Sequence, residues 1–204
     1  MKNKNIFTNF SHLPYFTKQD LVIFAEHLSI SDTTLDTLIQ RAIKSKEIFA
    51  LKRNYYVTKD FFSKHSNRIE YKYYLANILL KPSYITGETA LQHYGLLSEA
   101  VMNYYTSISH KTTRNFKDFI GIFEYKMIKL EFFNGFKFVK FSLDEEEYSY
   151  AIAKPYKAIY DYLYYKTRLK NLNKEELFAI LDDLRINYED LPKSEIKQLV
   201  NMFK

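Results

Sequence analysis

Two patterns predict an α+β fold in two parts. Residues 1–66 hold two short helical segments followed by a pair of strand-like runs. Residues 67–204 mix alternating, aromatic-rich strand-like runs with helices and close on three helical segments, which predicts an α+β domain with an antiparallel sheet and C-terminal helices. Composition sets the bounds: 204 residues, 47% apolar and 26% charged, describe a globular chain long enough to bury one or two cores.

The N-terminal elements follow from local signals. Residues 17–28 (TKQDLVIFAEHL) read as a helix with Thr17 as N-cap and Asp20 in the first turn, where the positive helix end favours an acid. After a three-residue break, residues 32–47 form a second helix. Its apolar positions Leu35, Leu38, Ile39, Ala42 and Ile43 fall at i, i+3, i+4, i+7 and i+8, one buried stripe. Thr33, Thr37, Gln40, Arg41 and Lys44 occupy the opposite face. Two strands follow at 48–51 and 55–58, joined by a turn at Lys52-Arg53-Asn54 in which Asn54 suits the tip.

Helix, tight turn, helix and basic-tipped hairpin is the order of a winged helix-turn-helix, and its chemistry suits DNA. A packed helix that presents Thr, Gln and Arg outward can enter a major groove and reach base edges. Lys52 and Arg53 at a wing tip, with Lys44, can reach phosphates or a minor groove. Two plainer accounts stand beside this: every amphipathic helix has a polar face, and winged helices also serve as protein-interaction modules.

Residues 59–66 read as the boundary to the second domain and residues 67–80 as its first helix, stopped at Lys81-Pro82-Ser83. Thr86 is placed to cap a short helix over residues 87–94, which Gly95 closes in the left-handed conformation. Strands are expected at 103–109, at 121–133 with Asn134-Gly135 as a hairpin turn into 135–143, and at 148–153, with the acidic run 144–147 as a solvated turn. Helices are expected at 155–166 with Pro at the first position, at 173–183 with an Asn173–Glu176 capping box, and at 192–203. Nineteen Tyr and seventeen Phe fall mostly at buried positions of these patterns.

Charge is uneven. Residues 1–66 hold ten Lys and Arg against six Asp and Glu, residues 67–140 the same, and residues 141–204 ten against twelve. A basic first two thirds suits a polyanion partner, although an AT-rich genome enriches lysine regardless of function. Residues 111–117 (KTTRNFK) carry Lys111, Arg114 and Lys117 with no acid among them and are expected as an exposed loop or strand end, a further phosphate contact or a docking point for an acidic partner.

The sequence offers no catalytic constellation. There is no cysteine, so no disulfide, thiolate zinc site or Cys nucleophile. The histidines (His12, His27, His65, His93, His110) are scattered, and only four glycines exist, none in a phosphate loop. Asp182-Asp183 point about 100° apart on a helix. No clustered acids with a lysine suggest a nuclease. The expectation is a non-enzyme without metal or cofactor. No apolar run is long enough to span a bilayer and the N-terminal residues do not form a signal peptide, so a soluble, cytoplasmic chain is expected.

Residues 81–101 (KPSYITGETALQHYGLLSEAV) resemble the AbiEi antitoxins, through Pro82, Ser83, Tyr84, Ile85, Ala90, Leu91, Gly95, Leu96 and Glu99, with Ser98 where that family often has Pro. The ordered likeness continues through residues 106–114 (TSISHKTTR), through Gly121, Phe123 and Tyr125, through Ala153, Pro155, Lys157, Ala158, Asp161, Leu163 and Tyr164, and through residues 184–191 (LRINYEDL). The resemblance implies an antitoxin of an abortive-infection or type IV toxin–antitoxin system. Its winged domain would bind inverted repeats in double-stranded promoter DNA and repress its own transcription. Its second domain would counter a nucleotidyltransferase-like toxin encoded nearby. The first helix of such a domain would here be short, about residues 6–12. The alternative is a stand-alone winged-helix regulator whose second domain is a sensor or protein-interaction module.

Overall fold

The computed structural model describes residues 6–98, 102–166 and 172–203 and divides into two compact units between Lys72 and Tyr73. The sequence placed the boundary at 66/67. It lies later because Tyr71 belongs to the first unit: its hydroxyl donates to the Pro14 carbonyl at 2.6 Å and its ring packs on Phe61 and His65.

The first unit begins with a short 3-10 turn, Ile6–Phe10, which buries Ile6, Phe7 and Phe10. Strand β1 (Phe16–Thr17), helices α1 (Lys18–His27) and α2 (Asp32–Lys44), and strands β2 (Ile48–Lys52) and β3 (Tyr55–Thr58) follow. Thr17 caps α1 in a full capping box with Asp20, and Ser31 caps α2 by accepting from the Thr34 N–H. The three strands form one antiparallel sheet in the order β1-β3-β2, with Phe16 opposite Tyr56 and Ile48 opposite Thr58. Leu21 and Ala25 of α1, Leu35, Ile39 and Ala42 of α2, and Phe16, Ile48 and Tyr56 of the sheet share one core with Leu38 and Ile43 at its margin. The expected stripe is therefore the buried one. Residues 59–66, expected as a connector, instead contain helix α3 (Lys59–His65). Thr58 accepts from the Phe61 N–H, and Phe61 and His65, one turn apart, are both buried.

Helix α4 (Ile69–Leu79) leads into the second unit. There β4 (Tyr84–Ile85), α5 (Gly87–His93), β5 (Tyr104–Ser109), β6 (Arg114–Lys117), β7 (Ile122–Met127), β8 (Phe136–Leu143) and β9 (Glu146–Ala153) precede α6 (Pro155–Lys166), α7 (Lys174–Asp183) and α8 (Lys193–Met202). The six strands make one sheet, ordered β6-β7-β5-β4-β9-β8. Pairings β4·β5, β6·β7 and β8·β9 are antiparallel, while β5·β7 and β4·β9 run parallel. One face meets α4, where Tyr73 packs on Tyr105 and Tyr150 and the Tyr125 hydroxyl donates to the Ala76 carbonyl. The other face meets α6 through Asp161 and Tyr84.

The Asn134-Gly135 hairpin does not form. Strand β7 is already flanked by β5 and β6, so β8 pairs with β9 instead, and the two-residue tip is Asp144-Glu145, inside the acidic run expected to be a turn. Gly135 is needed for another reason. At φ 73° a Cβ there would sit 2.7 Å from the Tyr156 hydroxyl. Gly95 does close α5 as expected, at φ 70°, with the Leu96 N–H donating to the Leu91 carbonyl. Thr86 begins α5, but its hydroxyl is not spent on the cap: it donates to Asp161 at 2.7 Å. The Asn173–Glu176 capping box on α7 is present. No helix among the described residues is long and apolar enough to cross a membrane.

Candidate nucleic-acid interface

Helix α2 positions the site, because burying Leu35, Ile39 and Ala42 forces the remaining positions outward. Thr33, Thr37, Gln40, Arg41 and Lys44 are all exposed and form a stripe about 16 Å long at 1.5 Å per residue. Its two halves differ. In the first, Ser31 and Thr33 hydroxyls lie 3.2 Å apart and the Thr37 hydroxyl donates back to the Thr33 carbonyl at 2.9 Å, so Thr37 keeps only acceptor capacity. Asp36, on the same helix, pairs with Lys18 at 2.6 Å, and the hydrogen bond from that ammonium raises the Lys18 pKa above its ordinary value. In the second half, the side chains of Gln40, Arg41 and Lys44 have no hydrogen-bond or ion-pair partner among the described residues, and the helix ends there on a basic turn.

The hairpin supplies the second element. A bulge between Ala50 and Lys52 and the left-handed Asn54, at φ 66°, bring Lys52 opposite Tyr55 and leave Arg53 exposed at the tip. Lys52 is half-buried. Its ammonium lies 3.8 Å from the centre of the Tyr55 ring, which stacks in turn on Tyr15. Arg53 is thus the freer cation, and Lys52 braces the tip as well as charging it. Sequence reasoning missed Lys46, exposed in the turn after α2 at φ 59°; a left-handed lysine gives no local signal that would have placed it.

The second basic segment is less convergent than its spacing implied. Lys111 is exposed, and Arg114 and Lys117 stand at the two ends of β6, an edge strand paired only with β7. Strand alternation puts Arg114, whose guanidinium lies 5.4 Å from the Phe116 ring centre, on the face opposite Lys117.

Two concave sites in the second unit gave no motif. One, of 370 Å³, lies between the sheet and α6 and gathers Glu88, Glu124 and Asp161 with Lys126 and Lys166. These groups are largely engaged. Glu124 pairs with Lys126 at 3.3 Å, and Tyr104 beside it is pushed up to about 12, first by burial and then by Glu124. Asp161 is 1% exposed and accepts from the Lys157 ammonium on one oxygen and from the Tyr84 and Thr86 hydroxyls on the other. Burial raises its pKa, against the pull of Lys157 and these hydrogen bonds. Among the described residues no three His, Asp or Glu converge at metal-ligating geometry. The other site, of 490 Å³, is an aromatic groove floored by α4 and the 81–83 turn.

The scattered histidines do not converge either: His65 is packed between Phe61 and Tyr71, and His93 lies against Tyr73 and Tyr94. Of the residues that carry the likeness described above, Tyr84, Lys157 and Asp161 meet in one buried network, while Glu99 lies outside the described residues. No family model matches the chain, and no curated protein matches it.

Proposed function

We propose that this chain is a DNA-binding, antitoxin-type transcriptional repressor that binds its own promoter through a winged helix-turn-helix in the first unit. The observation that carries this reading is the exposed Gln40–Arg41–Lys44 half of α2, whose side chains have no partner among the described residues, on a helix that shares one packed core with the hairpin that carries Arg53 at its tip. Gln40 and Arg41 are assigned to base edges, Thr33 and Thr37 to flanking contacts, and Lys44, Lys52 and Arg53 to phosphates. Lys111, Arg114 and Lys117 are assigned to further phosphates or to an acidic face of the toxin.

What supports the antitoxin part is the ordered likeness to AbiEi proteins, with a nucleotidyltransferase-like toxin as the partner encoded nearby. A second reading, a stand-alone regulator whose second unit senses a ligand, draws support from the two concave sites.

Arg41→Ala tests the base assignment. It is expected to lower affinity for the promoter by about 1–3 kcal/mol, roughly 5- to 150-fold, and to leave affinity for scrambled duplex nearly unchanged. Fluorescence anisotropy with both duplexes at one salt concentration measures this. Equal promoter affinities for variant and wild type would remove Arg41 from the base contacts.

A further inference from the structure

We propose that the 490 Å³ groove of the second unit binds a small planar aromatic carboxylate. Its polar groups are all suited to donate. The Asn77 side chain on α4 accepts from the Ala151 N–H at 2.6 Å, and only the amide oxygen can do this, so the Nδ2 group must be the end turned away. Nδ2 is removed from solvent and has no hydrogen-bond partner among the described residues. The hydroxyl of Ser83, a residue only 8% exposed, is likewise buried and without a partner among the described residues. Both residues line the groove, with the exposed Lys81 at its margin and no carboxylate among the lining residues. Two buried groups that can donate and a nearby ammonium call for a ligand that brings acceptors and negative charge.

The walls specify the remainder of that ligand. Phe133, Phe136 and Phe138 line the groove together with Tyr74 and Tyr148. Phe136 is stacked on Tyr84, its ring centre 4.9 Å away, which fixes its plane; Phe138 stands edge-on to Phe136 at 6.0 Å and is 70% exposed. An exposed phenylalanine beside a fixed ring offers a flat aromatic group both a face and an edge to pack on. The volume lies within the usual range for small-molecule sites and accommodates one or two fused rings. The ligand carboxylate faces Asn77, Ser83 and Lys81, and its ring covers Phe136 and Phe138. This site stands apart from DNA recognition: loss of promoter binding would leave it in place, and its failure would leave the DNA reading untouched.

The test is calorimetric titration of the full chain with 2-naphthoate, alongside the neutral 2-naphthamide and the cationic 2-(aminomethyl)naphthalene. Saturable one-to-one binding of the carboxylate is expected, with both analogues at least about tenfold weaker. Asn77→Asp keeps the acceptor facing Ala151 but removes the free donor and adds negative charge; it should weaken 2-naphthoate at least about tenfold. Ser83→Ala should weaken it about fivefold while leaving the thermal midpoint unchanged or higher, because an unpaired buried hydroxyl is lost. Phe138→Ser should weaken binding without lowering the midpoint. No saturable binding by the wild type, equal binding of the cationic analogue, or wild-type affinity in both Asn77→Asp and Ser83→Ala would overturn the proposal.

Discussion

Asp161→Ala is expected to destabilise the second unit by about 3–5 kcal/mol, the cost of leaving a buried charge without its counterion. Asp161 and Lys157 are 1% and 0% exposed and one helical turn apart on α6, and Asp161 also receives the Tyr84 and Thr86 hydroxyls. The substitution therefore strands one ammonium and two hydroxyls in the interior. Lys157→Met with Asp161→Leu removes both charges and should recover only part of the loss, because the two hydroxyls remain without an acceptor, at about 1–3 kcal/mol each. Adding Tyr84→Phe should recover one of those increments. Urea unfolding of the full chain, followed by circular dichroism, gives all three values. A cost under about 1 kcal/mol for Asp161→Ala would mean the network is not a structural centre of the unit.

Replacing Lys44, Lys52 and Arg53 together by alanine is expected to weaken DNA binding by about 10²-fold or more at 0.1 M salt, on promoter and scrambled duplex alike. Each phosphate contact contributes about 0.9 to the slope of log affinity against log salt concentration, so removing three should flatten the slope by nearly 3 and bring variant and wild type together toward 1 M. Lys52 should contribute least, because its ammonium already lies over Tyr55. Core stability should hold, since Lys44 and Arg53 are exposed and none of the three belongs to the packed cluster. Anisotropy titrations across a salt series report both quantities. An unchanged slope would place the phosphates elsewhere.

What could be read from the sequence was what local rules decide. The Thr17 cap, the Leu35–Ile39–Ala42 stripe, the Asn54 turn and the Asn173–Glu176 capping box depend on residues within a turn or two of one another, and they stand where spacing put them. What could not be read depends on distant partners. Asn134-Gly135 has hairpin chemistry, yet the parallel β5·β7 pairing takes the edge that hairpin would have used. Thr86 has capping chemistry, yet its hydroxyl goes to a carboxylate 75 residues away. The candidate interface was readable because it is one face of one helix and one turn. The aromatic groove was not, because α4, the 81–83 turn, β8 and β9 each supply only part of it. Its one faint signal is the pair Phe136 and Phe138, at alternating positions on a strand whose outward members should be polar.

A repressor of this kind must recognise its own promoter by sequence. The direct measurement is the affinity of the full chain for a duplex taken from upstream of its coding sequence, against a scrambled duplex of equal length and composition at 0.1–0.15 M salt. A preference of about 10³-fold or more for the promoter is predicted, the range of specific over non-specific binding for DNA regulators. Equal affinity for the two duplexes, or no binding to either at low salt, would contradict it.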